Sequence, residues 1–64
     1  MKKSFSRFTI ARYKDVFLED FRNNADHWFY VIDLYHSSIA FPSYEQAARA
    51  YNGIVPESEA IPLF

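Results

Sequence analysis

The chain contains no cysteine, so neither a disulfide framework nor a thiolate metal site is available to reinforce it. Its single glycine, Gly53, falls short of the clustered glycines that cradle a phosphate on backbone N–H groups, which excludes the nucleotide-binding loops. No apolar run approaches the roughly 18 residues of a membrane span. Met1-Lys2-Lys3 leads into polar residues rather than the apolar core of a signal peptide, so a cytoplasmic location without membrane contact is expected. A net charge of −1 gives no global attraction to nucleic acid.

What the chain has in excess is aromatic rings. Seven Phe, five Tyr and one Trp stand among 64 residues. Each ring carries roughly 150–250 Å² when buried, and a domain of this size buries only about 60% of the surface its unfolded chain exposes. Some of the thirteen are therefore expected outside, where clustered aromatics mark interfaces. Charge is unevenly placed: residues 1–14 hold Lys2, Lys3, Arg7, Arg12 and Lys14 without an acid, and all eight acids follow. Residues 1–4 are expected to form a flexible basic start to a single domain spanning 1–64.

Trp28-Phe29-Tyr30-Val31-Ile32-Asp33-Leu34-Tyr35 is dense in aromatic and β-branched types and is the strongest strand candidate. Ile39-Ala40-Phe41 reads as a short returning strand stopped by Pro42, although no Asn-Gly or Asp-Gly turn separates the two. Ser43 followed by Gln46 has the capping-box spacing, which predicts a helix over about 44–52. Tyr44, Ala47, Ala48 and Tyr51 would form its inward stripe, and Gly53 would take the left-handed position past its end. Upstream, Phe8, Ile10 and Arg12 alternate as in a strand, yet Ile10, Tyr13, Phe17 and Phe21 recur at helical spacing. The longer period predicts an amphipathic helix from Thr9 to Arg22 with Arg12, Asp15, Glu19 and Arg22 outward. The expected fold is thus α+β: an N-terminal helix, a small antiparallel hairpin or sheet, the capped helix and a short apolar C-terminal tail.

Chemistry is scarce. Asp26-His27 and Asp33-x-x-His36 fall near opposite ends of the expected strand, about 30 Å apart at ~3.3 Å per residue, too far to share one metal ion. Ser37 and Ser38 beside His36 read better as a polar turn than as nucleophile and base. Glu57 and Glu59 belong to an exposed turn. No catalytic, metal-binding or cofactor-binding residue is assigned, and the chain is read as a non-enzyme.

The segments His27-Trp28-Phe29-Tyr30-Val31-Ile32 and Phe41-Pro42-Ser43-Tyr44-Glu45-Gln46-Ala47-Ala48-Arg49-Ala50-Tyr51-Asn52 resemble the second half of the plant Apetala-type, ethylene-response-factor DNA-binding domain. They are also similar to the amino-terminal domain of arm-binding phage integrases. The resemblance implies a strand-strand-helix unit that reads DNA from its sheet face, with Trp28 carried over as a groove-facing aromatic. The chain departs from that pattern in having no Lys or Arg between Trp28 and Phe41.

Two functions follow as expectations. The first is a small regulatory protein-binding module, an accessory subunit or inhibitor of a larger protein, with Trp28, Tyr30 and Tyr35 as aromatic anchors and a homodimer as one form of partnership. Compact phage or plasmid regulators share this profile by analogy. The alternative is a nucleic-acid-binding module using Arg7, Arg12, Lys14 and Trp28.

Overall fold

The structure, a computed structural model, describes residues 5–23 and 25–63, with the backbone alone for Phe5 and Ser6. The expected basic start at residues 1–4 lies outside the described residues. Four antiparallel strands form one sheet in chain order: β1 (Phe5–Tyr13), β2 (Val16–Asn23), β3 (His27–Asp33) and β4 (Ser37–Phe41). Helix α1 (Tyr44–Ile54) and a 3-10 turn at Glu57–Glu59 complete an α+β fold.

The expected helix from Thr9 to Arg22 is corrected to a β1–β2 hairpin. Tyr13 pairs with Val16 across a two-residue turn, in which Lys14 takes the positive φ of 52° that glycine or asparagine would ordinarily supply. Val16 and Leu18 do not flank a stripe but sit in the core, whereas Phe17, Glu19 and Phe21 alternate onto the other face of the sheet. Glu19, expected in solvent, is only 7% exposed.

Polar residues set the remaining turns. The Asn23 side-chain oxygen accepts from the backbone N–H groups of Ala25 and Asp26 at 2.8 and 2.7 Å, turning β2 into β3. Asp33 does the same between β3 and β4, accepting from the Tyr35 N–H at 3.0 Å and pairing with His36 Nδ1 at 2.9 Å. The Leu34 N–H donates to the Asp15 carbonyl at 3.1 Å, which ties the ends of the two hairpins together.

One face of the sheet is covered. Val16, Leu18, Phe29 and Val31 pack there against Ala47, Tyr51 and Val55, and small Ala47 and Ala48, both fully buried, let the helix approach closely. The helix begins as its capping sequence predicts, with the Ser43 hydroxyl accepting from the Gln46 N–H at 3.3 Å. Its end differs: Gly53 lies inside the last turn without a positive φ, and buried Val55 is the C-cap. The apolar tail docks on the same side. Asn52 and Ile61 exchange two 2.9 Å hydrogen bonds, and Ile61 packs against the core.

Candidate binding face

The opposite face of the sheet is left without a covering layer by the described residues. Strand alternation and register place Phe17, Glu19 and Phe21 of β2, Trp28, Tyr30 and Ile32 of β3, and Ser38 and Ala40 of β4 on it. Phe21 opposes Trp28, Glu19 opposes Tyr30, and Phe17 opposes Ile32. The Phe21 and Tyr30 rings meet edge to face at 6.1 Å. Among the aromatic side chains described, Phe29 and Tyr51 alone are buried, both on the helix side.

β1 supplies the charge. Arg7 and Arg12 are five residues apart and would point to opposite faces of a regular strand. The register shifts between Thr9 and Ala11, so Ile10 is the extra residue of a β-bulge. As a result Arg7, opposite Phe21, and Arg12, opposite Phe17, share the open face. The Arg12 guanidinium lies 5.3 Å from the Phe17 ring centroid. Lys14 sits at the turn, its ammonium 5.4 Å from the Tyr13 ring, away from the two arginines' rows.

Glu19 is the one carboxylate that the register places on this face among the described residues. Thr9 Oγ1 donates to its Oε2 and Arg7 Nε to its Oε1, both at 2.6 Å. The Thr9 hydroxyl, opposed by burial and assisted by Arg7, holds the carboxyl below the usual glutamate range. Arg7, Glu19, Phe21, Tyr30, Ile32 and Ser38 enclose a cleft of about 270 Å³ that runs across all four strands.

Of the expected anchors, Trp28 and Tyr30 share the open face, and Trp28 is 37% exposed. Tyr35 is separate: it lies at the β3–β4 turn and is 78% exposed. Of the expected nucleic-acid contacts, Arg7, Arg12 and Trp28 share the open face, with Arg7 in the row of Trp28 and Arg12 four residues along in the row of Ile32, and Lys14 lies at the turn. Sequence reasoning missed Glu19, Phe17, Phe21 and Ser38. The signal for the three β2 residues was the alternation Phe17-Leu18-Glu19-Asp20-Phe21, which a strand resolves into two faces; Ser38 follows only from its register opposite Ile32.

The histidines occupy other ground. His27 Nε2 pairs with Asp20 Oδ1 at 2.7 Å on the helix side, and its ring lies 4.6 Å from that of Phe29. No group of three or more metal-ligating side chains occurs among the described residues, and none of their helices is long and apolar enough to cross a membrane. Comparison of the chain with known protein families, with curated proteins and with solved structures gives no match.

Proposed function

We propose that the protein is a small, non-enzymatic binding module that grips a protein partner through the open face of its sheet. One observation carries the reading: Phe17, Trp28, Tyr30 and Ile32 stand side by side, Trp28 exposed and the other three half-buried, on a face over which the described residues place no second layer. Contiguous apolar patches of this kind are uncommon on monomers and common at the centres of interfaces, where rigid rings supply most of the binding energy. Trp28 and Tyr30 are the anchors, and Arg7 and Arg12 form a polar rim beside them. Tyr35, remote from this cluster, is not assigned to the same contact. An accessory subunit or inhibitor of a larger protein fits this arrangement, and a second copy of the chain is another partner that the same face would take.

Affinity capture from the native host with the wild-type chain and with Trp28→Ser, read by mass spectrometry alongside light scattering of the purified protein, tests the reading. A partner, or a dimer, retained by the wild type and lost with Trp28→Ser is expected. Identical capture by both chains, together with a monomer in solution, would sink it.

The second reading, nucleic-acid binding, is favoured by the bulge at Ile10, which sets Arg7 and Arg12 on the face of Trp28. Against it, Glu19 offsets the charge of Arg7 and Lys14 lies off the face, so among the described residues little net positive charge is left to track a phosphate backbone. A gel-shift assay on duplex and single-stranded DNA at two salt concentrations separates the two readings, since phosphate binding weakens steeply with salt.

A further inference from the structure

The geometry points to the chemistry of the partner: an acidic segment bearing an aromatic or large apolar side chain, with the side chain entering the cleft and a neighbouring carboxylate meeting Arg7 and Arg12. This rests on the protein-binding reading above and narrows it.

Size limits what the cleft takes. At about 270 Å³ it lies just under the roughly 300–1,000 Å³ typical of small-molecule sites, so it suits one inserted side chain rather than a cofactor. Its lining decides which kind. Phe21, Tyr30 and Ile32 provide apolar surface, and Ser38 provides one hydroxyl at the β4 end. The only carboxylate there, Glu19, is already neutralised by Arg7, so an incoming cation would have to compete with a 2.6 Å ion pair.

Charge complementarity argues for an acidic neighbour. The protein is net negative as a whole, yet among the described residues the open face carries Arg7 and Arg12 against Glu19 alone. The Arg7 side chain is 58% exposed and uses only Nε toward Glu19, leaving its terminal N–H groups for a second acceptor. Arg12 is exposed beside Phe17. A carboxylate at this rim finds both arginines on β1, while the β3 and β4 part of the face presents no charge among the described residues.

The test uses the full chain labelled with ¹⁵N and short blocked peptides in which a central phenylalanine is flanked by glutamates. The acidic peptide is expected to shift the backbone amides of Glu19, Tyr30, Ile32 and Ser38 with a Kd between about 10 µM and 1 mM, as befits one anchor. Replacing the glutamates by lysines, or the phenylalanine by alanine, should weaken binding at least about tenfold. Ser38→Trp, which fills the cleft from an exposed position, should abolish it, and the spectrum of the variant reports whether the fold is kept. Equal binding of acidic and lysine peptides, or no movement of these amides, overturns the inference, as does an oligothymidylate that displaces the peptide. Partner capture that depends on Trp28 while the acidic peptide leaves these amides still removes the inference and spares the binding reading; capture independent of Trp28 removes both.

Discussion

Arg7 and Glu19 are diagonal neighbours across the β1–β2 ladder, joined by a 2.6 Å hydrogen bond from Nε to Oε1, on a sheet face that the described residues leave uncovered. An ion pair in this position has one buried and one exposed member, because Glu19 is enclosed by the rings around it and Arg7 is 58% exposed. The pair fastens the edge strand to the sheet and, with the Thr9 hydroxyl, satisfies the Glu19 carboxylate among aromatic side chains.

Acid should loosen this arrangement. Thr9 and Arg7 hold the Glu19 carboxyl below its usual range, and the Tyr35 N–H, with His36, does the same for Asp33. A carboxyl whose folded value is depressed stabilises the fold above its unfolded value and loses that contribution as pH falls through the folded one. Urea midpoints should therefore be level near neutrality and fall as pH drops below about 4.3. Glu19→Gln should flatten the part of this decline that belongs to Glu19.

The pair's own worth is accessible to a double-mutant cycle. Arg7→Ala and Glu19→Gln, singly and together, are expected to give a coupling of about 0.5–1.5 kcal/mol, discounted for the exposed guanidinium. Because Thr9 remains to donate to residue 19, Arg7→Ala should cost less than Glu19→Gln. A coupling near zero would mean that Thr9 alone positions the carboxylate.

Several of these relationships were written in the sequence and several were not. Ser43 and Gln46 announce the helix, and Trp28 to Tyr35 announces a strand, since caps and β-branched runs are local signals. That strand ends earlier, at Asp33, where the turn begins. The β1–β2 hairpin is hidden because both of its faces are apolar. Val16 and Leu18 turn inward while Phe17 and Phe21 turn outward, so the alternation that marks a half-solvated strand is masked and a helical stripe emerges by coincidence. Its turn is silent as well, because Lys14 rather than glycine takes the left-handed φ. The binding face depends on that hairpin and on a bulge at Ile10, a change of register that no local pattern announces.

The two faces of the sheet should respond differently to truncation. Leu18 is fully buried, and Leu18→Ala is expected to cost about 2–5 kcal/mol. That is comparable with the whole stability of a chain this short, at about 0.05–0.15 kcal/mol per residue. Trp28→Ser on the open face should cost less, about 1–2 kcal/mol, because more than a third of the residue is exposed already. Chemical denaturation of both variants checks this, and a Trp28 variant as damaging as the Leu18 one would show the open face to be core.

Gly53 offers the opposite sign. It sits inside the last turn of α1 with ordinary helical sign of φ, and a Cβ built on it would meet nothing within 4 Å. Glycine there costs the unfolded-to-folded transition backbone entropy and returns neither a turn nor a close contact. Gly53→Ala should raise stability by about 0.5–1 kcal/mol, with the gain at the low end because the last turn of a helix is less fully constrained than its middle. Denaturant midpoints at constant slope would measure it. A loss instead would mean that residue 53 relaxes to a left-handed conformation in solution, as the pattern Tyr51-Asn52-Gly53 suggests when read without the buried Val55 cap.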